Sequence, residues 1–106
     1  MCAYVLTKST RPDKKYMIWN MEPVFINNDQ MPRVHVIHFG ATGYEDYTMH
    51  KDIKRRNAYD SRHSNEDWND LTKAGAWAKW LLWNKSTLDA SIKDMENKFD
   101  ITIIQL

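Results

Sequence analysis

The sequence has few of the residues that cross-link or interrupt a chain: of its 106 residues, one is cysteine, three are glycine and three are proline. Cys2 has no partner for an internal disulfide, which argues against a disulfide-stapled secreted scaffold and favours a reducing compartment in which Cys2 is a passive thiol. No apolar stretch approaches the roughly 20 residues of a membrane helix, and the first residues lack a signal-peptide pattern. We therefore expect a protein that is neither secreted nor membrane-spanning.

Hydrophobic residues make up 42% of the chain and charged residues 27%, which is typical of a folded globular protein and not of a disordered tail. The length suits one hydrophobic core and is too short for two independent ones. The sequence therefore predicts a single α+β domain over residues 1–106.

The net charge of +1 conceals a segregation of charge along the chain. Residues 8–16 carry four basic side chains against one acidic, and residues 48–63 carry five against two. Acidic side chains dominate the intervening and following segments, among them Glu45, Asp46, Glu66, Asp67 and Asp70. The two basic segments therefore indicate possible binding partners even though the net charge of the chain is close to zero.

Strand patterns occupy the first part of the chain. Residues 3–8 and 15–20 flank the turn formers of residues 11–13 and predict a hairpin. Residues 33–39 alternate as a third strand. Residues 21–32, with two prolines and the cluster Asn27-Asn28-Asp29, are typical of a long connecting loop, which has room for a short extended piece around residues 24–26.

Helical patterns follow. We predict helices from residue 48 or 50 to about 63, from about 66 to 83, and after the cap Thr87, where Leu88, Ile92, Met95 and Phe99 form a stripe. Residues 101–104 are β-branched and predict a closing strand. The expected fold class is α+β, with a small antiparallel sheet of three N-terminal strands plus a C-terminal strand, packed against about three helices.

Basic residues of the first predicted helix form a stripe. On a helix, Lys51, Arg55 and Arg62 fall within about 40° of one another, with Lys54 one step to the side. Such a stripe can follow a phosphate backbone, although a plain solvated face explains it as well. With the hairpin tip, the predicted nucleic-acid-binding residues are Lys8, Arg11, Lys14, Lys15, Tyr47, His50, Lys51, Lys54, Arg55, Arg62 and His63, with Tyr44 as a further aromatic partner.

Catalytic and metal patterns are weak. His35 and His38 lie three apart on a predicted strand and point to opposite faces, so they do not share an ion. No nucleophile triad, phosphate loop, dinucleotide fingerprint or paired-cysteine motif occurs. We therefore expect no catalytic residue, no metal and no cofactor.

Several stretches resemble a family of small proteins from giant cytoplasmic DNA viruses, the marseillevirus-like and mimivirus-like groups. The resemblance spans nearly the whole chain and lies in residues 4–16 (YVLTKSTRPDKKY), 38–40, 43–44, 46–48, 50–52 and 80–85 (WLLWNK). It implies a viral setting, with no established enzymatic activity. The shared positions are mostly polar, which implies a common binding surface: Lys8, Arg11, Lys14, Lys15, His38, Asp46, Tyr47, His50, Lys51, Arg55, Arg62, His63 and Lys85. Residues 21–32 and Ser86 depart from the pattern.

Three functional hypotheses follow. The first is a sequence-tolerant DNA-binding or genome-associated viral protein, acting as a homodimer in the virion and in the host cytoplasm or nucleus. The second is a virion structural module whose charged zones bind other virion proteins instead of nucleic acid. The third is a phosphodiester-processing enzyme that uses Asp46, Tyr47, His50 and His63 with a divalent ion or with arginine assistance.

Overall fold

The computed structural model of the protein describes residues 2–26 and 29–106, with side chains for residues 3–20 and 36–106. Predictions that concern Asn27, Asn28 and the side chains of Cys2 and His35 lie outside these residues. The elements in chain order are β1 (Cys2–Lys8), β2 (Lys14–Ile26), β3 (Asp29–Ala41), α1 (Tyr47–His50), α2 (Ile53–Arg62), α3 (Ala74–Leu82), α4 (Leu88–Phe99) and β4 (Ile101–Gln105).

The four strands form one sheet in the order β3-β2-β1-β4. The first three pair antiparallel, as predicted, and the C-terminal strand closes the sheet beside β1. The α+β fold class is thereby confirmed. The sheet is mixed, however, because β4 runs parallel to β1, with Val5 opposite Ile104. The chain between β1 and β4 includes four helices, and a crossover of this kind is what parallel pairing requires.

The loop predicted over residues 21–32 is wrong for the residues that the structure describes. Residues 21–26 continue β2 and residues 29–32 begin β3, with Pro23 opposite Pro32. β1 pairs with β2 only up to Asn20, so this end of the hairpin is a two-stranded ribbon with open edges. Proline lacks an N–H and is tolerated on such edges, whereas the sequence reasoning treated both prolines as strand breakers.

The core lies between one face of the sheet and the pair α3 and α4. Leu6, Ile18 and Phe39 point inward from the three antiparallel strands and meet Trp77 of α3 and Met95 of α4, all essentially inaccessible to solvent. Their positions follow from the period of two in a strand and of 3.6 in a helix. The predicted apolar stripe of the last helix is confirmed, as is its cap, since the Thr87 hydroxyl accepts the Ala90 N–H at 3.2 Å.

Two predicted helices are shorter than their sequence patterns suggest. The first is divided at Lys51, which has a left-handed φ of 57°, after which the Asp52 carboxylate caps α2. The helix predicted from residue 66 begins only at Ala74. Asp67 and Asp70 accept the N–H groups of residues two positions later, and such Asx turns compete with the helical hydrogen bonds.

Candidate functional site

A cleft of about 570 Å³ opens between one end of the sheet and helix α2. Its walls come from the ends of β2 and β3, the loop of residues 42–46, one side of α2 and the last turn of α3. The volume falls within the range of small-molecule sites, roughly 300–1,000 Å³. Of the predicted binding residues, Lys15, Arg55, Arg62 and His63 line this cleft, so the fold brings together side chains from β2 and from α2.

An ion pair between Lys15 and Asp46 lies at the base of the cleft. The Lys15 ammonium donates to the Asp46 carboxylate at 2.7 Å, and the two side chains are only 17% and 4% exposed. The other carboxylate oxygen accepts the Thr48 N–H at 3.0 Å and so caps α1. Asp46 therefore joins β2 to the start of α1, and it neutralises the positive charge of Lys15.

Stacked rings form the floor of the cleft. The Tyr59 ring lies parallel to that of Trp83, with centroids 4.3 Å apart and an interplanar angle of 5°. The Tyr59 ring also stacks on the His63 ring, with centroids 4.2 Å apart and an interplanar angle of 25°. His50 then packs against Trp83 at 5.4 Å. These contacts fix α2 to the last turn of α3, and they make the floor of the cleft aromatic.

The Tyr59 hydroxyl stays protonated over an unusually wide pH range. Burial, as the largest cause, and the nearby charges of Glu66 and Asp60 together raise the pKa of Tyr59 to about 12, against the opposing effect of the Arg62 charge. Burial and negative neighbours both disfavour the phenolate. Glu66 also contacts the Nδ1 atom of His63 on the rim of the cleft.

Charges of both signs line the cleft. Arg55 and Arg62 lie seven residues apart on α2 and therefore on one side of it. The Arg55 guanidinium lies 3.7 Å from the Glu45 carboxylate, and both side chains remain about half exposed. Tyr44, in the same loop as Glu45, is 74% exposed at the rim. The rim thus offers guanidinium groups, a carboxylate and an aromatic face.

The basic hairpin tip adjoins the cleft. Thr42, in the cleft loop, donates its N–H to the Asp13 carbonyl at 3.1 Å and its hydroxyl to the Pro12 carbonyl at 2.9 Å. The turn between β1 and β2 is therefore fixed beside the cleft, with Lys8 and Lys14 at its two strand ends. The proximity of the two basic segments, assumed in the sequence reasoning, is present in the fold.

Three predicted binding residues occupy positions that the sequence reasoning did not anticipate. Tyr47 was expected to be available to partners, but it is only 7% exposed and lies beneath the Arg56 guanidinium at 5.2 Å. The Nδ1 atom of His50 accepts the Asp52 N–H at 2.9 Å while its ring packs on Trp83. Lys51 precedes α2, and its ammonium donates to the Thr48 carbonyl at 3.1 Å. These side chains stabilise the α1–α2 junction, and none of them lines the cleft.

Lys54 and Arg11 complete the predicted set. Lys54 is exposed in the first turn of α2, where its N–H donates to the Asp52 cap. Arg11 lies in the hairpin turn within 3.4 Å of the Asp13 carboxylate. Both side chains are exposed, and neither lines the cleft.

Glu45 and Trp83 line the cleft although the sequence reasoning did not assign them to it, and Tyr59 lines it as well. The spacing of Tyr59 and His63, four residues apart, places them on one side of a helix and was a usable signal. Trp83 reaches the cleft through tertiary packing against Tyr59, and no local sequence pattern indicates this contact.

The residues proposed for phosphodiester chemistry are divided between structural roles. Asp46 caps α1 and pairs with Lys15 at the base of the cleft, Tyr47 is buried, and His50 lies at the α1–α2 junction, while His63 lines the cleft. In the part of the chain that the structure describes, no group of three or more His, Cys, Asp or Glu side chains is placed to hold a metal ion. Within the same residues, no helix has the length and apolar character needed to span a membrane.

No curated protein and no solved structure matches the chain. A family of proteins matches over residues 4–63, a segment that contains every residue lining the cleft except Leu82 and Trp83. The chain therefore belongs to this family, which is described as a family of unknown function (DUF5754).

Proposed function

We propose that the protein binds nucleic acid, DNA in the first instance, with little dependence on base sequence. The observation that carries the proposal is the convergence of Arg55 and Arg62 from α2 on a cleft beside the basic hairpin tip. Guanidinium groups bind phosphate oxygens through paired, charge-assisted hydrogen bonds, and phosphate contacts carry no base preference.

Carboxylates limit how much of the basic charge is available to phosphates. Asp46 neutralises Lys15, Asp13 contacts Arg11 and Glu45 contacts Arg55. Among the described residues, Lys8, Lys14, Lys54 and Arg62 form no ion pair with a carboxylate. Around the cleft and the hairpin tip, we expect phosphate contacts from these four residues and the half-exposed Arg55, and therefore moderate affinity and not the tight binding of a strongly basic protein.

Fluorescence anisotropy of labelled oligonucleotides across a salt series tests this proposal. The test variant is Arg55→Gln with Arg62→Gln. The matched control is Lys73→Gln with Lys93→Gln, which removes the same charge from exposed positions that do not line the cleft. Each phosphate contact contributes about 0.9 to the slope of log affinity against log salt on a duplex. We therefore expect the test variant to reduce the slope by about 2 and the control to leave it unchanged.

Two results would count against the proposal. If neither single-stranded nor duplex DNA binds at low salt, nucleic-acid binding is rejected, and the module that binds other virion proteins becomes the leading hypothesis. If the control lowers the slope as much as the test variant, binding follows net charge and the cleft has no special role.

The biological setting that we propose is viral, and it rests on the resemblance to proteins of giant cytoplasmic DNA viruses. A genome-associated role places the protein in the virion and in the host cytoplasm or nucleus. Mass spectrometry of gradient-purified virus particles tests this setting. We expect the protein to co-purify with the genome-containing core after detergent treatment, and its loss with the detergent-soluble fraction would contradict a genome-associated role.

We further propose that the protein forms a homodimer through the outer face of the sheet. The pairing register aligns Ile104, Val5, Trp19 and Val36 in one row across all four strands, and these side chains point away from the helices. Ile104 and Val36 are 48% and 49% exposed. The row is apolar and uncharged, which suits a second copy of the same face better than a charged partner.

Light scattering tests the dimer. The expected mass is twice 12.6 kDa for the native chain, and the Val36→Lys variant, which puts a charge into the row, is expected to give the monomer mass. Ile53→Lys is the matched control, because Ile53 is equally exposed but lies on α2. A native protein with the monomer mass at concentrations up to about 100 μM would reject this interface.

A further inference from the structure

We propose that the cleft holds one unpaired nucleotide of a single strand, with Tyr44 stacked on the base and the two arginines of α2 on phosphates. This inference rests on the proposed function and specifies its substrate. It distinguishes single-stranded from duplex nucleic acid, a question that the sequence left open.

The first argument is the shape of the site. The cleft is concave and has the size of a small-molecule pocket, about 570 Å³. A base that is paired and stacked inside a duplex cannot enter such a space unless it is extruded, and extrusion costs a few kcal/mol. A single strand presents its bases without that cost, so the concave shape favours single strands over duplexes.

The second argument is the position of Tyr44. Its side chain is 74% exposed although it is large and aromatic, and it stands at the rim of the cleft. Gly43, with a left-handed φ of 83°, makes the turn that presents it. Exposed aromatic rings are the stacking platforms of proteins that bind single strands. Isolated exposed aromatic residues are common, but this one adjoins cationic side chains and a ring-lined floor.

The third argument is the spacing of the cations. Arg55 and Arg62 are seven residues apart on α2, which separates them by roughly 10 Å along the helix axis. Two arginine side chains anchored at that separation are able to contact two different phosphates of one strand. A chain that crosses the cleft is therefore held at two points, one on each side of the nucleotide that enters it.

The fourth argument is the carboxylate on the rim. Glu45 lies 3.7 Å from Arg55 and its side chain is 55% exposed. A carboxylate repels phosphate but accepts hydrogen bonds from exocyclic amino groups of bases and from ribose hydroxyls. Its place beside Arg55 suits a ligand that presents a phosphate and a hydrogen-bond donor close together, as a nucleotide does.

The experiment compares a labelled 12-nucleotide strand of mixed sequence with the same strand in a duplex, by anisotropy at one salt concentration. We expect the single strand to bind at least about tenfold more tightly. Tyr44→Ala is expected to weaken single-strand binding by roughly 5- to 150-fold, since base stacking on an aromatic ring contributes an effect of that order. Tyr44→Phe, which keeps the ring, is expected to restore most of the affinity.

The matched control is Leu106→Ala, which removes a side chain of similar exposure, 79%, just beyond β4 and outside the cleft lining. Equal affinity for duplex and single strand, with no effect of Tyr44→Ala, would overturn this inference. In that case a reduced salt slope in the Arg55 and Arg62 variant would still support nucleic-acid binding. If neither probe binds at low salt, the inference and the proposed function both fail.

Discussion

Gly40 is the residue at which β3 passes from the core to the cleft, and its replacement by alanine gives a quantitative test of the packing. Its φ is +77°, and a Cβ atom there would lie 2.8 Å from Leu82 Cδ1 and 3.3 Å from Lys15 Cβ. A left-handed backbone costs a residue with a Cβ roughly 1–2 kcal/mol. Leu82 is almost fully buried and cannot move away freely, so overpacking adds roughly 1–3 kcal/mol.

Gly43→Ala separates the two contributions. Gly43 has a similar φ of +83°, but a Cβ atom there would have no neighbour within 4 Å. We expect Gly43→Ala to lower the free energy of unfolding by about 1–2 kcal/mol and Gly40→Ala by about 2–5 kcal/mol. Urea unfolding followed by tryptophan fluorescence measures both, provided that the slope of free energy against urea is unchanged. If the two substitutions cost the same within about 0.5 kcal/mol, the contact with Leu82 does not constrain β3 and the reasoning is refuted.

Three further predictions concern stability. The pKa of Tyr59 is raised from 10.0 to about 12, so the contribution of its protonated hydroxyl to the free energy of unfolding is complete below pH 10 and is lost as pH rises towards 12. After solvent screening we expect this contribution to be about 1–2 kcal/mol. Tyr59→Phe should therefore lose less stability than the native chain when unfolding is measured at increasingly alkaline pH. The buried Lys79 ammonium lies 2.8 Å from the Asp60 carboxylate, and Asp60→Asn leaves it without that partner. We expect Asp60→Asn to lower the free energy of unfolding in urea by roughly 1–3 kcal/mol. Adding Lys79→Met to this variant should recover part of the loss, because it removes the unpaired charge. Thr87→Ala removes the cap of α4 and should lower the thermal midpoint by an amount equivalent to about 1 kcal/mol; an unchanged midpoint would contradict the capping role.

The elements that could be predicted from the sequence are those whose local pattern and tertiary environment agree. Ile92 and Met95 recur at helical spacing and are buried, and Phe39 lies on the inner face that its alternation with Val36 and His38 implies. The spacing of buried apolar residues along one helix or strand shows which of its faces is buried, so this face can be predicted without knowing which element packs against it.

The missed boundaries have a different origin. Pro23 and Pro32 suggested a loop, but their effect depends on whether a neighbouring strand needs their N–H, and only the register shows that it does not. Asp52 lies inside the first predicted helix, but in the structure it is the cap of α2 after a left-handed residue. Asp70 likewise accepts hydrogen bonds from Thr72, which also lower the pKa of its carboxyl group. Short polar side chains offer the backbone alternatives to the helix, and propensity does not determine which alternative is adopted.

The candidate site shows the same division between local and long-range information. The seven-residue spacing of Arg55 and Arg62 could be found in the sequence, because a helix places both on one side. Their carboxylate neighbours could not, because Lys15 meets Asp46 across 31 positions of the chain and Glu45 reaches Arg55 through a loop and a helix break.

Because carboxylates contact basic residues at the cleft, the charge segregation in the sequence does not give the charge of the folded surface. In the sequence, acidic and basic residues form separate segments, and such segregation suggests a surface of one sign. In the fold, Asp46, Glu45 and Glu66 come from segments that the sequence analysis classed as acidic, and each contacts a basic residue or a histidine at the cleft. What distinguishes the cleft is therefore not its net charge but its combination of two guanidinium groups, carboxylates and aromatic rings around one concave space. A uniform phosphate surface has no need of the last two, and a nucleotide uses all three.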